Sequence, residues 1–324
     1  SIPYLVTQGY YQAKLLYGAK SVEQVLKENE LTKEQRQKLE LVLKVRKFSA
    51  QKLGLNLGKN YSAINMSFKH TIYNVSASEA LKFEPYTWWF PIVGSVPYKG
   101  FFNKKDAQIA FEKLKEKKYD VMMRVVTGYS TLGYFNDPIW VQMLAWSDQS
   151  LTELIIHELA HSTLYFPSHS NFNESFAMFV GKKGTLEFLA SNFGKNSAIY
   201  LETINSYGDA NVYAKFMWEL YHKLNDLYES SKSKEQKTKK KNKILLKAAA
   251  QYKNLNFKTK GYKNSSISHF NNASLMSFRR YNSEQKTFEK LFEKKLENWQ
   301  DFLKELALLQ DEKDPLTALK NKIR

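Results

Sequence analysis

Cysteine is absent from the 324 residues, and that one absence excludes disulfides, thiolate metal sites and a cysteine nucleophile. Any metal the chain holds must be gripped by histidine and carboxylate. Apolar runs approaching twenty residues are also missing, so no segment reads as a membrane-spanning helix. No secretory signal is visible, although a start at Ser1 instead of Met leaves room for a removed upstream segment. Internal repeats of the solenoid kind are absent. Acidic residues are scarce in one place above all. Between Lys232 and Lys263 there are 12 Lys against the single acid Glu235, so +11 of the formal +17 charge sits in that stretch. The rest of the chain is only mildly basic, which weighs against a nucleic-acid partner, and sparse aromatics in the stretch weigh against a base-stacking platform. This Lys-rich segment (232–263) reads first as a solvated helix end or exposed loop. Its second reading is a face for peripheral contact with an anionic membrane or envelope polymer.

What is present fits a folded globular chain with a sizeable core: 43% hydrophobic, 25% charged and 15% aromatic residues. Helical patterning covers Tyr4–Tyr17 and Val22–Leu26. A third helix starts at a capping box, Thr32 to Gln35, runs through Leu39, Val42, Leu43, Val45 and Phe48, and stops at Gly54. From Tyr61 to Leu132 the texture turns β-branched and aromatic, broken by Pro and Gly, which predicts a small sheet of three or four strands. An amphipathic helix, Lys104–Lys117, interrupts it. Beyond Ser150 the pattern is helical: Tyr213–Tyr228, Asn242–Tyr252, and one long terminal helix carrying Phe288, Leu291, Phe292, Trp299, Phe302 and Leu306.

The chemistry concentrates in HELAHSTLYFPSHSNFNESFA, His157–Ala177. Ser150 and Glu153 read as a capping box ahead of a helix over Leu151–Tyr165, with Leu154, Ile155, Leu159 and Leu164 turned to the core. On it His157 and His161 are four residues apart, so both imidazoles share one face and can share one divalent ion. Glu158 points away from that ion but reaches a water bound to it, the logic of HExxH with Glu as general base. A hydrolytic zinc site needs a third protein ligand and an open position for water. Three candidates lie downstream: Glu174, His169 and Glu187. Phe172, Phe176, Phe179 and Val180 predict a second helix with Glu174 in its first turn, where the dipole favours a carboxylate, and that makes Glu174 the preferred ligand. His169 lies on the connecting link and reads as a surface residue.

HELAH followed by FNESFA resembles the gluzincin metallopeptidases, in which a later helix with an NE motif donates a glutamate. The twelve residues between His161 and Glu174 are fewer than in the thermolysin-like or large aminopeptidase families. The chain is more closely similar to a bacterial family of predicted zinc aminopeptidases. The likeness runs through GYYQA (Gly9–Ala13), FPIVGSVPYKGFF (Phe90–Phe102), GYSTLGYFNDP (Gly128–Pro138), HELAH, FNESFA, FNNASL (Phe270–Leu275) and Tyr281. This resemblance implies one Zn2+ per chain on His157, His161 and Glu174, with Glu158 as catalytic base and a peptide as substrate. It also implies an export or lipoprotein signal in many members, hence an envelope or periplasmic address, with the cytoplasm as the alternative.

The oxyanion of peptide hydrolysis needs a donor beside the metal, and Tyr281 and Tyr129 are the candidates, with His269 and His222 behind them. The strand Val125–Leu132 precedes the metal helix, the place where zincins commonly bind a substrate backbone, so Thr127, Gly128, Ser130 and Thr131 are the substrate-binding candidates. No acidic residue is identifiable for gripping a free amine, which leaves exo- and endopeptidase action both open. The competing reading is an inactive or non-peptidase envelope protein that binds anionic surfaces through 232–263. The expected fold is α+β and mostly helical, zincin-like, with a small mixed sheet over the HExxH helix. It forms one unit, 1–324, with subdomains 1–165 and 166–324, the latter a helical C-terminal half.

Overall fold

The computed structural model describes residues 2–28, 31–90, 94–126, 137–263, 270–282 and 284–324. In chain order its elements are α1 (Ile2–Tyr17), β1 (Lys20–Ser21), α2 (Val22–Lys27), α3 (Lys33–Gln51), β2 (Ala63–Asn65), β3 (Ile72–Ser78), β4 (Trp88–Phe90), β5 (Gly94–Val96) and β6 (Lys99–Phe101). These are followed by α4 (Lys104–Glu116), β7 (Asp120–Val126), β8 (Ile139–Trp140), a 3-10 turn (Val141–Ala145), α5 (Asp148–Thr163) and α6 (Ser170–Phe193). The remainder is helical: α7 (Ala198–Glu229), α8 (Lys234–Lys253), α9 (Lys260–Lys263), α10 (Asn272–Asn282), α11 (Gln285–Lys294), α12 (Trp299–Ala307) and α13 (Pro315–Lys322). The protein is mostly helical with small sheets, an α+β composition. Among the described residues no helix is long and apolar enough to cross a membrane.

Two compact units interleave along the chain. The first takes 1–70, 127–200 and 280–324; the second takes 71–126 and 201–279. In the first unit α5 and α6, which fall on either side of residue 165, pack together. Their core faces meet α3 through Leu39, Val42 and Val45, and the apolar residues Ile155, Ile156, Leu159, Phe176 and Val180 are fully or almost fully buried. Burying such side chains stabilises the fold by roughly 1.5–3 kcal/mol each. Phe176 and Phe179 continue into an aromatic layer with Phe288, Phe292 and Phe302; Phe292 and Trp299 approach to 4.4 Å between ring centres. β1 runs antiparallel to β2, and β2 parallel to β8, a mixed three-stranded sheet within this unit.

In the second unit β3 lies between β6 and β7, antiparallel to both, and β4 pairs with β5. The strand-rich region therefore separates into three small sheets instead of one of three or four strands. β7 is an edge strand, and Val125 on it is exposed. Helices α7, α8 and α10 supply this unit's core through Met217, Leu220, Leu224, Tyr252 and Leu275.

Three local expectations need correction. The cap of α5 is Ser147, whose hydroxyl accepts the Ser150 amide, so the helix begins earlier than a Ser150 cap allows. Similarly α6 begins at Ser170, which places Glu174 in the second turn, where the helix dipole has largely faded. The terminal apolar pattern is not one helix. Leu296 and Glu297 both take left-handed φ (53° and 57°) and reverse the chain between α11 and α12. The pattern continued across the break because both halves turn their apolar faces to the same core, and periodicity cannot register a two-residue reversal. Most of the Lys-rich segment is helical as well, since Ser233 and Gln236 form a full capping box at the start of α8.

Candidate metal centre

The site is built where α5 and α6 press together. Gly181 and Gly184 let the backbone of α6 come close. A Cβ at 181 would stand 3.3 Å from His157 Cβ and 3.4 Å from the Glu153 carbonyl, and one at 184 would stand 2.7 Å from Leu53 Cδ1. Between the helices the link folds back on Asn173, which accepts the Phe166 amide (2.9 Å) and donates to the Phe166 carbonyl (2.7 Å). The asparagine of FNESFA is thus a clamp that fixes how α6 leaves the turn, and with it the direction of Glu174. The far end of α5 is held too. Ser162 returns a hydrogen bond to the Glu158 carbonyl and takes one from Asn60 Nδ2 (2.7 Å), while Thr163 receives the Asn56 amide.

His157 Nε2 and His161 Nε2 are 3.2 Å apart. Each faces the same oxygen, Glu174 Oε2, at 3.5 and 3.7 Å. An ion held at about 2.0–2.2 Å in a tetrahedral set places its ligand atoms roughly 3.3–3.5 Å from one another, so this triangle has the size that such an ion requires. Among the described residues these three form the group able to hold a metal ion. The donor set, two imidazoles and a carboxylate, suits a borderline cation such as zinc.

Electrostatics point the same way. Burial opposes a charge on His157, yet Glu174 and Glu158 outweigh it and raise the imidazole above its ordinary value. Burial likewise would raise Glu174, but the two imidazoles hold it far below the usual carboxylate range. The pocket therefore favours a carboxylate facing positive charge. Glu158 is buried, and its Oε2 has no hydrogen-bond partner; neither has His161 Nδ1. Buried polar atoms are seldom left so, because each costs about 1–3 kcal/mol. A water between Glu158 and an ion would account for the first.

The other candidates fall elsewhere. His169 occupies the position before α6 and donates its amide to Phe166; it is not in the group. Glu187, more than three turns beyond Glu174 on α6, accepts the Trp299 indole N–H (3.0 Å) and is also outside it. Tyr281 is the last but one residue of α10, and its carbonyl accepts Gln285 Nε2 (2.8 Å). His222 is exposed on α7 and stacks on Trp218. Tyr129, Thr127, Gly128, Ser130, Thr131 and His269 lie outside the described residues.

Sequence reasoning passed over Asn60 and Tyr61. Asn60 accepts the Asp137 amide while bracing Ser162. Tyr61 has a left-handed φ of 56°, uncommon for an aromatic residue. Its phenol is buried without a partner and is pushed well up by burial and by the charges of Glu158 and Asp137. Only the Asn preceding a run of Tyr and Ser hinted at a turn here.

No curated protein and no solved structure matches the chain. A family model described as "Putative aminopeptidase" matches residues 3–318, and the chain belongs to that family across nearly its whole length.

Proposed function

We propose that the protein is a zinc-dependent peptidase of the aminopeptidase type, with a zincin-like centre on His157, His161 and Glu174 and Glu158 as its base. The observation that carries this reading is the triangle of Nε2, Nε2 and Oε2 atoms, 3.2, 3.5 and 3.7 Å on its sides, with a buried, unpartnered carboxylate oxygen on the next residue of the same helix. Family membership supplies the reaction class.

Zinc held by these residues would supply Lewis acidity, lowering the pKa of a coordinated water to about 7. The chain's own groups do the rest. His157 and His161 would hold such an ion through Nε2, and Glu174 through Oε2. Glu158 takes the proton of the attacking water at Oε2, holds it in a site shielded from solvent, and delivers it to the leaving amine nitrogen. Tyr281 is our candidate donor to the developing oxyanion, a role open to test by Tyr281→Phe. Residues 127–131, continuing from the edge strand β7, are our candidates for the substrate backbone.

The reading is tested by metal analysis of the purified protein together with a fluorogenic panel of peptides in free and N-acetylated pairs. One equivalent of zinc and cleavage confined to the free amines is the expected result. Cleavage of the acetylated members would replace aminopeptidase by endopeptidase action. Zinc without cleavage of any peptide would reject the peptidase assignment and favour the envelope-binding reading.

A further inference from the structure

The helix α8 carries two unlike faces. Lys241, Ala248 and Tyr252 are buried in the core of their unit, and the face opposite them presents Lys239, Lys240, Lys243, Lys247 and Lys253, all exposed. At 3.6 residues per turn these five cover an arc of about 140° on the outer face, and Leu246, which is 72% exposed, lies towards one side of it. Among the described residues Lys241 is the α8 lysine that pairs with a carboxylate, Asp120, while none of these five does. The contrast with α4 is instructive: its exposed lysines Lys104, Lys105, Lys113 and Lys115 alternate with Asp106, Glu112 and Glu116, so its charge is neutralised locally. On α8 the only acid is Glu235, in the first turn.

We propose that this outer face of α8 docks the protein on an anionic phospholipid surface, with the five lysines over the headgroup phosphates and Leu246 entering the interface. Three observations favour a bilayer over a nucleic acid. Residues 232–263 contain no arginine, the residue suited to forked phosphate and base contacts. No aromatic side chain lies on the exposed strip to stack a base. An exposed leucine on the same face as these lysines gains by leaving water for an acyl boundary and gains nothing against a phosphate backbone. Lysines near an anionic leaflet each raise binding by about fivefold, an effect confined to roughly 8–10 Å at physiological salt, so the attraction requires direct approach of this face. The proposal is independent of the zinc centre.

The test is co-sedimentation of the full chain with vesicles of phosphatidylglycerol and phosphatidylcholine in equal parts, against pure phosphatidylcholine, at about 50 and 300 mM NaCl. Binding to the anionic vesicles at low salt, release at high salt and no binding to the neutral ones are expected. Replacing the five lysines by Gln should lower affinity by more than roughly a hundredfold, while five Gln replacements at Lys104, Lys105, Lys113, Lys115 and Lys117 change it less than about twofold. Leu246→Gln should cost a few-fold without altering the salt slope. If the fivefold variant misfolds by circular dichroism, the pairs Lys239→Gln/Lys243→Gln and Lys247→Gln/Lys253→Gln should each lose roughly thirtyfold. Absence of binding at low salt, equal binding to neutral vesicles, equal loss in the α4 control, or tighter lysine-dependent binding to duplex DNA would each overturn the proposal.

Discussion

In the second unit, Lys241 Nζ reaches Asp120 Oδ2 at 2.5 Å and the Ala80 carbonyl at 2.7 Å. The same Asp120 oxygen accepts the Asn272 amide; Asn272 Nδ2 donates to the Glu79 carbonyl, and its Oδ1 accepts the Tyr228 hydroxyl. In the first unit, His157, His161 and Glu174 meet beside Glu158 and leave Glu158 Oε2 and His161 Nδ1 without partners. Both clusters bury charge. One pairs its charged and amide groups with one another and with nearby backbone and so fixes three helices and a strand; the other leaves two buried polar atoms unpartnered, a state that costs stability. The difference sets a cluster paired within itself apart from one whose three ligand-type side chains could hold an ion.

Substitutions can break that comparison if it is wrong. The largest effect falls on turnover. Glu158→Gln should lower kcat by roughly 10²–10⁴-fold with zinc content unchanged, and because it removes an unpartnered buried charge, thermal unfolding of the metal-free variant should occur no lower than in the parent. A fall in Tm with activity intact would make Glu158 a structural group. Next, Glu174→Ala should weaken zinc by more than about a hundredfold, read by competition with a chromophoric chelator, since even the residues behind metal ligands are worth 10–100-fold. Retained affinity would exclude Oε2 as a ligand.

The second cluster should answer in the opposite currency. Lys241→Ala strands Asp120 and should cost about 3–5 kcal/mol in denaturant unfolding, leaving zinc content untouched. Lys241→Met, which fills the volume, is expected to retain more of that stability than the alanine. Smallest is a pH effect at Asp209. Burial would raise its carboxyl, but the Thr259 hydroxyl, the amides of Lys258 and Thr259, and the charge of Lys263 lower it. Its folded value lies below the unfolded one near 3.9, so its stabilisation is present at neutral pH and is lost as pH falls from about 4 through the folded value. Asp209→Asn should therefore cost about 1 kcal/mol at pH 7 and converge with the parent in acid. A constant difference across that range would show that charge is not the agent.

Much of the first unit was legible in the sequence because its signals are local. The box Thr32–Gln35 forms both of its reciprocal bonds, and His157 and His161 meet because four residues make one turn. Glu174 was reachable as a candidate, though the reason given for it failed: α6 starts four residues ahead of it, so the dipole does not hold it. What places it is the Asn173 clamp and the close approach of two helices, both tertiary facts. The hub at Asp120, Lys241 and Asn272 was invisible for the same cause. Asp120 lies 121 residues from Lys241 and 152 from Asn272, and a lysine inside a lysine run carries no mark that it alone turns inward. The break at Leu296 shows the converse, where apolar spacing promised one rod and two left-handed residues divided it.

Gly181 sits seven residues beyond Glu174, two turns and about 10 Å down the same helix. With His157 Cβ only 3.3 Å from where a methyl would project, that position works like the fulcrum of a lever whose far arm carries the carboxylate. A single added carbon there would press on His157 more tightly than ordinary van der Waals contact, so that the neighbour must give by a few tenths of an ångström. The spacing of His157, His161 and Glu174 is thus open to adjustment from a residue outside the group.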